Sequence, residues 1–381
     1  GGRVVKIKEV CLYRLVIPFR LPVSHSLAER KQAEGLVVIA RGEDGTCGYG
    51  EGTPRQYVTG ETLAECLDAG RDLGHLLVGR AVESVSGLLG LLSELGETQT
   101  ARLFPSALCA IEIACMDLWG RKIGLPVSGI LKGGGAEVFT YSAVLPLLSD
   151  ELFDRFLDLT EKNRMGFVKI KVGAGVERDV ERIRRARLRL GETVDIRVDA
   201  NGGYTPHEAL DFLDRSRGLM VSAIEQPVPK EDLDGMQLVS DKGGILVIAD
   251  ESLCSMEDAE RIVAASACRG FSVRLSKCGG FLKSLAIWDF ASKNGIACQI
   301  GSHVGETAIL AAAGRHLAAV RPDHIHLEGS FSRRLLAEDL VVEDVDFGPK
   351  GHARALCGPG LGIEVAESNL SRLGVLVHRV T

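Results

Sequence analysis

Between residues 169 and 274 short apolar runs break off abruptly into charge. Val168-Lys169-Ile170-Lys171, Ile196-Arg197-Val198-Asp199, Ser222-Ala223-Ile224-Glu225, Ile245-Leu246-Val247-Ile248-Ala249-Asp250 and Phe271-Ser272-Val273-Arg274 all share this form. From Lys171 onward the terminal charges follow one another at intervals of 28, 26, 25 and 24 residues. About 25 residues is the length of one strand, one helix and two loops, so each charge falls at the same place in a repeating βα unit. A ring of parallel strands would aim all of them at one spot.

The same alternation extends on both sides of this stretch. It predicts strands at 138–145, 166–171, 194–199, 221–225, 245–249, 271–275, 296–301 and 323–327, with helical patterns between them. Eight such units make an α/β fold of the (β/α)₈-barrel type, whose reactive groups gather at the C-terminal ends of the strands. The first third reads differently. Residues 4–16 and 36–49 alternate apolar and polar positions as antiparallel sheet, and the Pro- and Ser-containing segment Pro18 to Gly35 reads as a long mobile connection. The segment from Gly48 to Thr62 is too rich in Gly to read as regular structure before Glu61 opens a helix. Helical spacing then runs to about Gly124, with Ala107 to Trp119 apolar enough to be buried. The expected organisation is an α+β capping domain over 3–131, a barrel over 136–357 and a segment, 358–381, that packs back on the cap.

Composition narrows the class without changing this picture. A chain of 381 residues, 45% of them hydrophobic, can bury a sizeable core and is expected to be globular and soluble. A net charge of −6 with no dense Lys/Arg run argues against nucleic acid or anionic membrane as a partner. The ten cysteines contain no CxxC pair, which removes the zinc and disulfide-framework readings and leaves reduced thiols and a cytoplasmic setting as the expectation.

Asp199, Glu225 and Asp250 would meet at adjacent strand ends. Three carboxylates left alone repel until one takes up a proton, and a hard divalent cation resolves the conflict. All-oxygen ligands favour Mg²⁺, with Mn²⁺ the other candidate. Lys169 and Lys171 are two residues apart and so share one face of their strand, and the apolar residues flanking them indicate a strand buried on both faces. Beside a metal and a second ammonium, a lysine pKa falls towards neutrality and the amine becomes a usable base. Such a site suits abstraction of a proton α to a carboxylate, with the metal stabilising the enolate. A positioned base supplies about 10²–10⁴ in rate, so electrostatic stabilisation must carry most of the rest.

At this point the chain resembles the enolase superfamily, and within it the muconate lactonizing enzyme subgroup. The resemblance covers nearly the whole sequence. It rests on Gly50-Glu51-Gly52, the helix ending Asp117-Leu118-Trp119-Gly120-Arg121, the Lys-x-Lys pair, Asp199-Ala200-Asn201, Glu225-Gln226-Pro227, Asp250-Glu251-Ser252 and Lys277-Cys278-Gly279-Gly280. It implies Asp199, Glu225 and Asp250 as Mg²⁺ ligands, Lys171 as the base and Lys169 as its partner and a contact for the substrate carboxylate. Asn201, Gln226 and Glu251 would support the ligands. A small carboxylate substrate and a homo-oligomer, from dimer to octamer, follow from the same resemblance.

One departure is plain. Relatives that racemise, epimerise or cycloisomerise carry a lysine on the sixth strand, where this chain has Arg274. Arginine stays protonated and is a poor base, though a good partner for a carboxylate or enolate. One-face chemistry with Lys171 as principal acid/base, as in a muconate cycloisomerase-like isomerase or a lyase, is therefore the leading expectation. The rival is an N-acylamino acid racemase or dipeptide epimerase that uses His303, after the seventh strand, or Lys277 as second base. Taken alone, Lys277 reads as a solvated loop lysine. His326-Leu327-Glu328 occupies the region where dipeptide epimerases carry an Asp-x-Asp pair that receives the substrate ammonium, and of the two positions only Glu328 is acidic here, so the resemblance implies this role for Glu328 alone. His25 and Arg30 in one cap loop, and Arg55 and Tyr57 in the next, are lid candidates, each reading singly as exposed. A non-catalytic carboxylate-binding barrel is the remaining alternative.

Overall fold

The computed structural model describes residues 4–25 and 28–381, with the side chains of all of these except 22, 24, 25, 28 and 29. Seven parallel strands lie side by side in chain order: Ala143–Leu145, Phe167–Lys171, Asp195–Asp199, Val221–Glu225, Leu246–Ala249, Gly270–Val273 and Ala297–Ile300. Helices separate them, from Asp150–Lys162 after the first strand to Ala308–Val320 after the seventh. The strands are buried on both faces, as parallel strands covered by helices must be.

The eighth position differs from the expected strand at 323–327. It is a short extended segment with one bridge, Ile300 to Leu327. Backbone bonds from Ile325 to Cys298, from Glu328 to Ile300 and from Ser142 to Leu327 carry the closure to the first strand. The expected first strand is likewise divided. Val138–Thr140 pairs antiparallel with His352–Arg354, and only Ala143–Leu145 joins the barrel. The result is a (β/α)₈-type barrel with an α+β cap.

In the cap, Val5–His25 and Ala28–Gly42 form one long antiparallel hairpin. The Pro18 to Gly35 segment is therefore mostly paired strand and not a mobile connection, with a register break between Pro18 and Val23. The Gly-rich stretch likewise differs from the expected irregular segment. Cys47–Gly52 is a strand, and its glycines face the Pro105–Ile123 helix. A Cβ on Gly48, Gly50 or Gly52 would lie 2.1, 1.9 or 2.2 Å from a backbone oxygen of that helix. Glycine is there because backbone meets backbone. The helix itself is buried from Ser106 to Gly120, consistent with its lack of a polar face. An earlier long helix, Leu63–Leu77, is capped by Thr62 in a reciprocal box with Glu65, while Glu61 is buried.

Buried carboxylates of the cap fasten it to the barrel. Glu51 accepts from Thr307 N, Thr307 Oγ1 and Leu310 N at the start of the Ala308–Val320 helix. Glu112 Oε1 accepts from Phe281 N and Leu282 N, at the start of the Phe281–Lys293 helix. Asp117 works within the cap, accepting from Tyr49 N and from Leu361 N in the C-terminal segment. Glu51 and Glu112 each satisfy amides that a helix N-terminus leaves unpaired. The strand Gly374–Val380 pairs antiparallel with Val5–His25, adding the end of the chain to the cap sheet. All ten cysteines are free thiols, and among the described residues no helix is long and apolar enough to cross a membrane.

Candidate active site

The strand-end charges do converge. Among the described residues, Asp199, Glu225 and Asp250 offer carboxylate oxygens within 4.8 Å of one another, and all three are fully buried. Two residues after Asp199 and one after Glu225 the backbone turns sharply, Asn201 at φ +44° and Gln226 at φ +35°. Side chains hold these turns. Asn201 N donates to Asp199 Oδ1 at 2.9 Å and its amide donates to Glu251 Oε1 at 2.7 Å. Gln226 Oε1 accepts from Asp250 N and Ser252 N, and its amide donates to Ser252 Oγ and Val228 O.

The two lysines of the second strand are held differently. Lys169 Nζ lies 3.1 Å from Glu225 Oε2, 3.3 Å from Asp199 Oδ2 and 2.8 Å from Glu328. Burial alone would lower its pKa, but Glu225, Glu328 and Asp199 reverse this and raise it, so Lys169 is a fixed cation. Lys171 Nζ donates to Asp199 Oδ2 at 2.5 Å and to Asn201 Oδ1 at 2.8 Å. An ammonium has three protons, and two of those on Lys171 are directed by these contacts. Burial pushes Asp199 up, yet Lys171 and Lys169 outweigh it and keep its pKa below the ordinary carboxylate range.

Arg274 follows the sixth strand. Its Nη2 pairs with Asp250 Oδ2 and lies 3.6 Å from Glu225 Oε1. The side chain lies across Gly301, where a Cβ would come within 3.0 Å of Arg274 Cγ and 3.1 Å of Nε. Lys277 is not a solvated loop residue. It sits in the short helix Leu275–Cys278 with 0% exposure, and its Nζ donates to Asp250 O at 2.6 Å, Asp250 Oδ1 at 2.9 Å and Ser272 O at 2.9 Å. Every proton of that ammonium is directed, two contacts going to Asp250 and one to Ser272.

Glu328 does not face an open subsite. Arg197 Nη2 donates to its Oε1 at 2.6 Å and Lys169 Nζ to its Oε2 at 2.8 Å. Burial raises its pKa, but Lys169 and Arg197 bring it down to about 2, so it is an anion already paired twice. Arg55 is buried and not an exposed lid residue; its guanidinium donates to Glu34 O, Pro54 O and Val304 O, stitching the cap turn to the loop after the seventh strand. Tyr57 lies in the turn helix Gln56–Thr59 beside it. The side chain of His25 lies outside the described residues. His303 is buried, with Nδ1 3.0 Å from Thr53 Oγ1.

Three site residues were missed by sequence reasoning. For Arg197 the available signal was its place two residues before Asp199, which puts both side chains on one face of the strand. Gln299 Nε2 donates to Glu225 Oε2 at 2.8 Å; a lone polar residue in the apolar run Ala297–Ile300 was the available signal. Thr53 carried none.

The donor set fits a hard divalent cation. Glu225 Oε1 is buried and accepts no hydrogen bond among the described residues. Burial, together with the nearby Asp199, Glu328 and Asp250, pushes Glu225 up to about 7 against the pull of Lys169. A carboxylate so crowded has an oxygen to spare for a cation, and the three ligand groups supply only oxygen. A cleft of about 860 Å³ between the cap and the barrel reaches Glu251 and Ser252 at the edge of this group.

Two family models match the chain: "Mandelate racemase / muconate lactonizing enzyme, N-terminal domain" over residues 7–132 and "Enolase C-terminal domain-like" over 152–369. An N-succinyl-L-Arg/Lys racemase of Bacillus cereus is 30% identical over 97% of this chain and 98% of its own length. Its crystal structure superposes with a TM-score of 0.90 at 29% identity, covering 99% of this chain and 100% of the other. A hydrophobic dipeptide epimerase of Enterococcus faecalis is 32% identical over 83% of this chain and 88% of its own. A dipeptide epimerase structure from that species, complexed with Mg and L-Leu-L-Tyr, gives a TM-score of 0.85 at 28% identity over 94% of this chain and 99% of the other. Muconate cycloisomerase 1 of Rhodococcus opacus is 29% identical over 87% and 88% of the two lengths.

Proposed function

This chain belongs to the mandelate racemase / muconate lactonizing enzyme family of the enolase superfamily, and from that premise we propose that it removes the proton α to a carboxylate with Lys171 as its principal acid/base, working on one face of the substrate. The chain is an enzyme of this superfamily, whose members similar to it are racemases, epimerases and cycloisomerases. Asp199, Glu225 and Asp250 would hold the divalent cation, Mg²⁺ by their chemistry. Bound there, it supplies positive charge where electrons arrive on the substrate carboxylate.

The protein's own groups divide the remaining work. Lys171, as the free amine, takes the α-proton while the C–H electron pair moves into the carboxylate to give an enediolate. Asp199 and Asn201 aim the amine. Lys169 remains charged and faces the substrate carboxylate as a fixed cation. The reaction is completed when the enediolate electrons form a Cα=Cβ bond and expel a β-leaving group, which takes the proton held by Lys171; return of the proton to the same face of Cα regenerates the substrate and registers only as solvent exchange.

The observation that carries the one-face reading is Arg274 at the end of the sixth strand, four strands round the ring from Lys171. It is paired with Asp250 and its pKa lies well above the usual value, because Asp250, Glu225, Glu251 and Glu328 outweigh burial. A group so charged cannot take a proton from carbon. A muconate cycloisomerase-like isomerisation or a syn elimination then follows with the least rearrangement. The second reading, 1,1-proton transfer on an N-acylamino acid or a dipeptide, draws on the racemase and epimerase relatives and on the unpartnered, buried Nε2 of His303.

The test is solvent exchange. N-succinylamino acids, dipeptides, muconates and hydroxy acids are incubated with enzyme and Mg²⁺ in D₂O and followed by NMR and chiral chromatography. The proposal expects α-deuteration or product formation without racemisation, lost in Lys171→Ala by about 10²–10⁴. Prompt appearance of deuterium in both enantiomers would overturn the one-face version.

A further inference from the structure

His303 is held from one side only. Its Nδ1 lies 3.0 Å from Thr53 Oγ1, and its Nε2 is buried with no partner among the described residues. Thr53 comes from the cap, 250 residues away in sequence and 1% exposed. Its hydroxyl has one described partner, the imidazole. A hydroxyl carries a single proton, and among the described residues the one hydrogen-bonding atom paired with this hydroxyl is Nδ1. If Nδ1 carried the ring proton instead, the Thr53 proton would be a buried donor with nowhere to go. The hydrogen-bond inventory thus assigns the ring proton to Nε2.

We infer that His303 presents an Nε2–H to bound substrate and donates a hydrogen bond to a substrate oxygen, with Thr53 as the positioning residue that sets this tautomer from the cap. This deepens the proposed reaction and rests on it for the presence of a carboxylate substrate. The group received is an acceptor, a carboxylate or acyl carbonyl oxygen, and not an ammonium. The surroundings agree. Burial first, then Arg274, Arg55, Lys277 and Arg30, hold the imidazole well below its ordinary pKa, so it stays neutral in a cationic corner. A neutral imidazole protonated at Nε2 has no lone pair there to accept a proton from carbon, which removes His303 as the second base of the rival reading. It can polarise a carbonyl, as neutral histidines do in other enolising enzymes.

The support for Thr53 is itself buried and polar. Thr53 N donates to Ser276 Oγ at 2.8 Å, Ser276 Oγ lies 3.1 Å from Ser106 Oγ, and Ser106 Oγ lies 2.8 Å from Glu61 Oε2. Thr59 Oγ1, in the cap turn at the mouth, lies 2.5 Å from the same carboxylate oxygen. The turn at the mouth and the imidazole are ends of one hydrogen-bonded path.

The primary test needs neither substrate nor turnover. In protein labelled with ¹⁵N at histidine, with the His303 signals assigned by their loss in His303→Gln, long-range ¹H–¹⁵N spectra report which ring nitrogen carries the proton. A protonated Nε2 and a bare Nδ1 are expected. Thr53→Val should let the two tautomers mix and Thr53→Ser should restore one. A protonated Nδ1 in the wild type overturns the inference, and that spectrum decides even if Thr53→Val does not fold. In the second arm, exchange of the substrates found in the D₂O panel should fall about 10²–10³-fold in kcat for His303→Leu, the loss expected for one donor to developing charge; an unchanged kcat also overturns it. Failure of Lys171→Ala to lose exchange would sink the proposed base while leaving the tautomer spectrum untouched, so the two failures are distinguishable.

Discussion

Replacing Arg274 with lysine should add a second base and turn a one-face enzyme into a racemising one. The side chain at 274 runs across Gly301, so a lysine can follow the same path. Its Nζ would stop near the arginine Cζ, about one C–N bond, ~1.3 Å, short of where Nη2 meets Asp250. Asp250 keeps Lys277 at 2.9 Å, so the substitution loosens a buried pair without stranding the carboxylate. Its cost should fall well below the roughly 3–5 kcal/mol of a broken buried pair. The gain is an amine able to lose its proton on the side of the site facing Lys171. A positioned base is worth about 10²–10⁴, or roughly 3–5 kcal/mol of barrier, so racemisation should rise from background by that factor while exchange at the original face persists. The assay is deuterium incorporation in each enantiomer of the best substrate, with unfolding by urea as the control for stability. If Arg274→Lys stays folded and still exchanges, yet delivers no deuterium to the other face, position 274 does not govern the stereochemical outcome and the reasoning fails.

Mg²⁺ should raise the melting temperature of the wild type, by the equivalent of about 2.7 kcal/mol at a hundred times its Kd, and Glu225→Gln should lose that rise; calorimetry with and without Mg²⁺ checks it. Glu112 is pushed up to about 8 by burial, against the pull of two backbone amides and Lys283. Its folded pKa exceeds its unfolded value, so its contribution is fully present below pH ~4.5 and is lost as pH rises towards 8, at up to about 1.4 kcal/mol per unit. Both amides bond to one oxygen, Oε1, which a glutamine retains, so Glu112→Gln should flatten the stability profile between pH 5 and 8 in denaturant titrations. Gly50→Ala should destabilise the cap by about 3 kcal/mol or more, since its Cβ would lie 1.9 Å from Ala110 O; a near-neutral result would contradict the close packing.

What the sequence determined by itself is what repeats locally. The βα period, the strand-end carboxylates and the shared face of Lys169 and Lys171 follow from spacing along one element, and the barrel and the Asp199–Glu225–Asp250 group were legible for that reason. Arg274 was legible as a change of residue type at a fixed interval. The Gly48–Gly52 strand was not, because its glycines answer to a helix more than fifty residues on. The Pro18–Gly35 segment hid the hairpin because strand pairing is a property of two segments. Burial of Lys277 and Arg55, the capture of Glu328 by Arg197 and Lys169, and the Thr53–His303 contact depend on which distant groups the fold brings together. A charge announces itself in sequence, but whether it is free or already paired is decided in three dimensions, because hydrogen bonds and ion pairs act over about 3 Å of space whatever the separation along the chain.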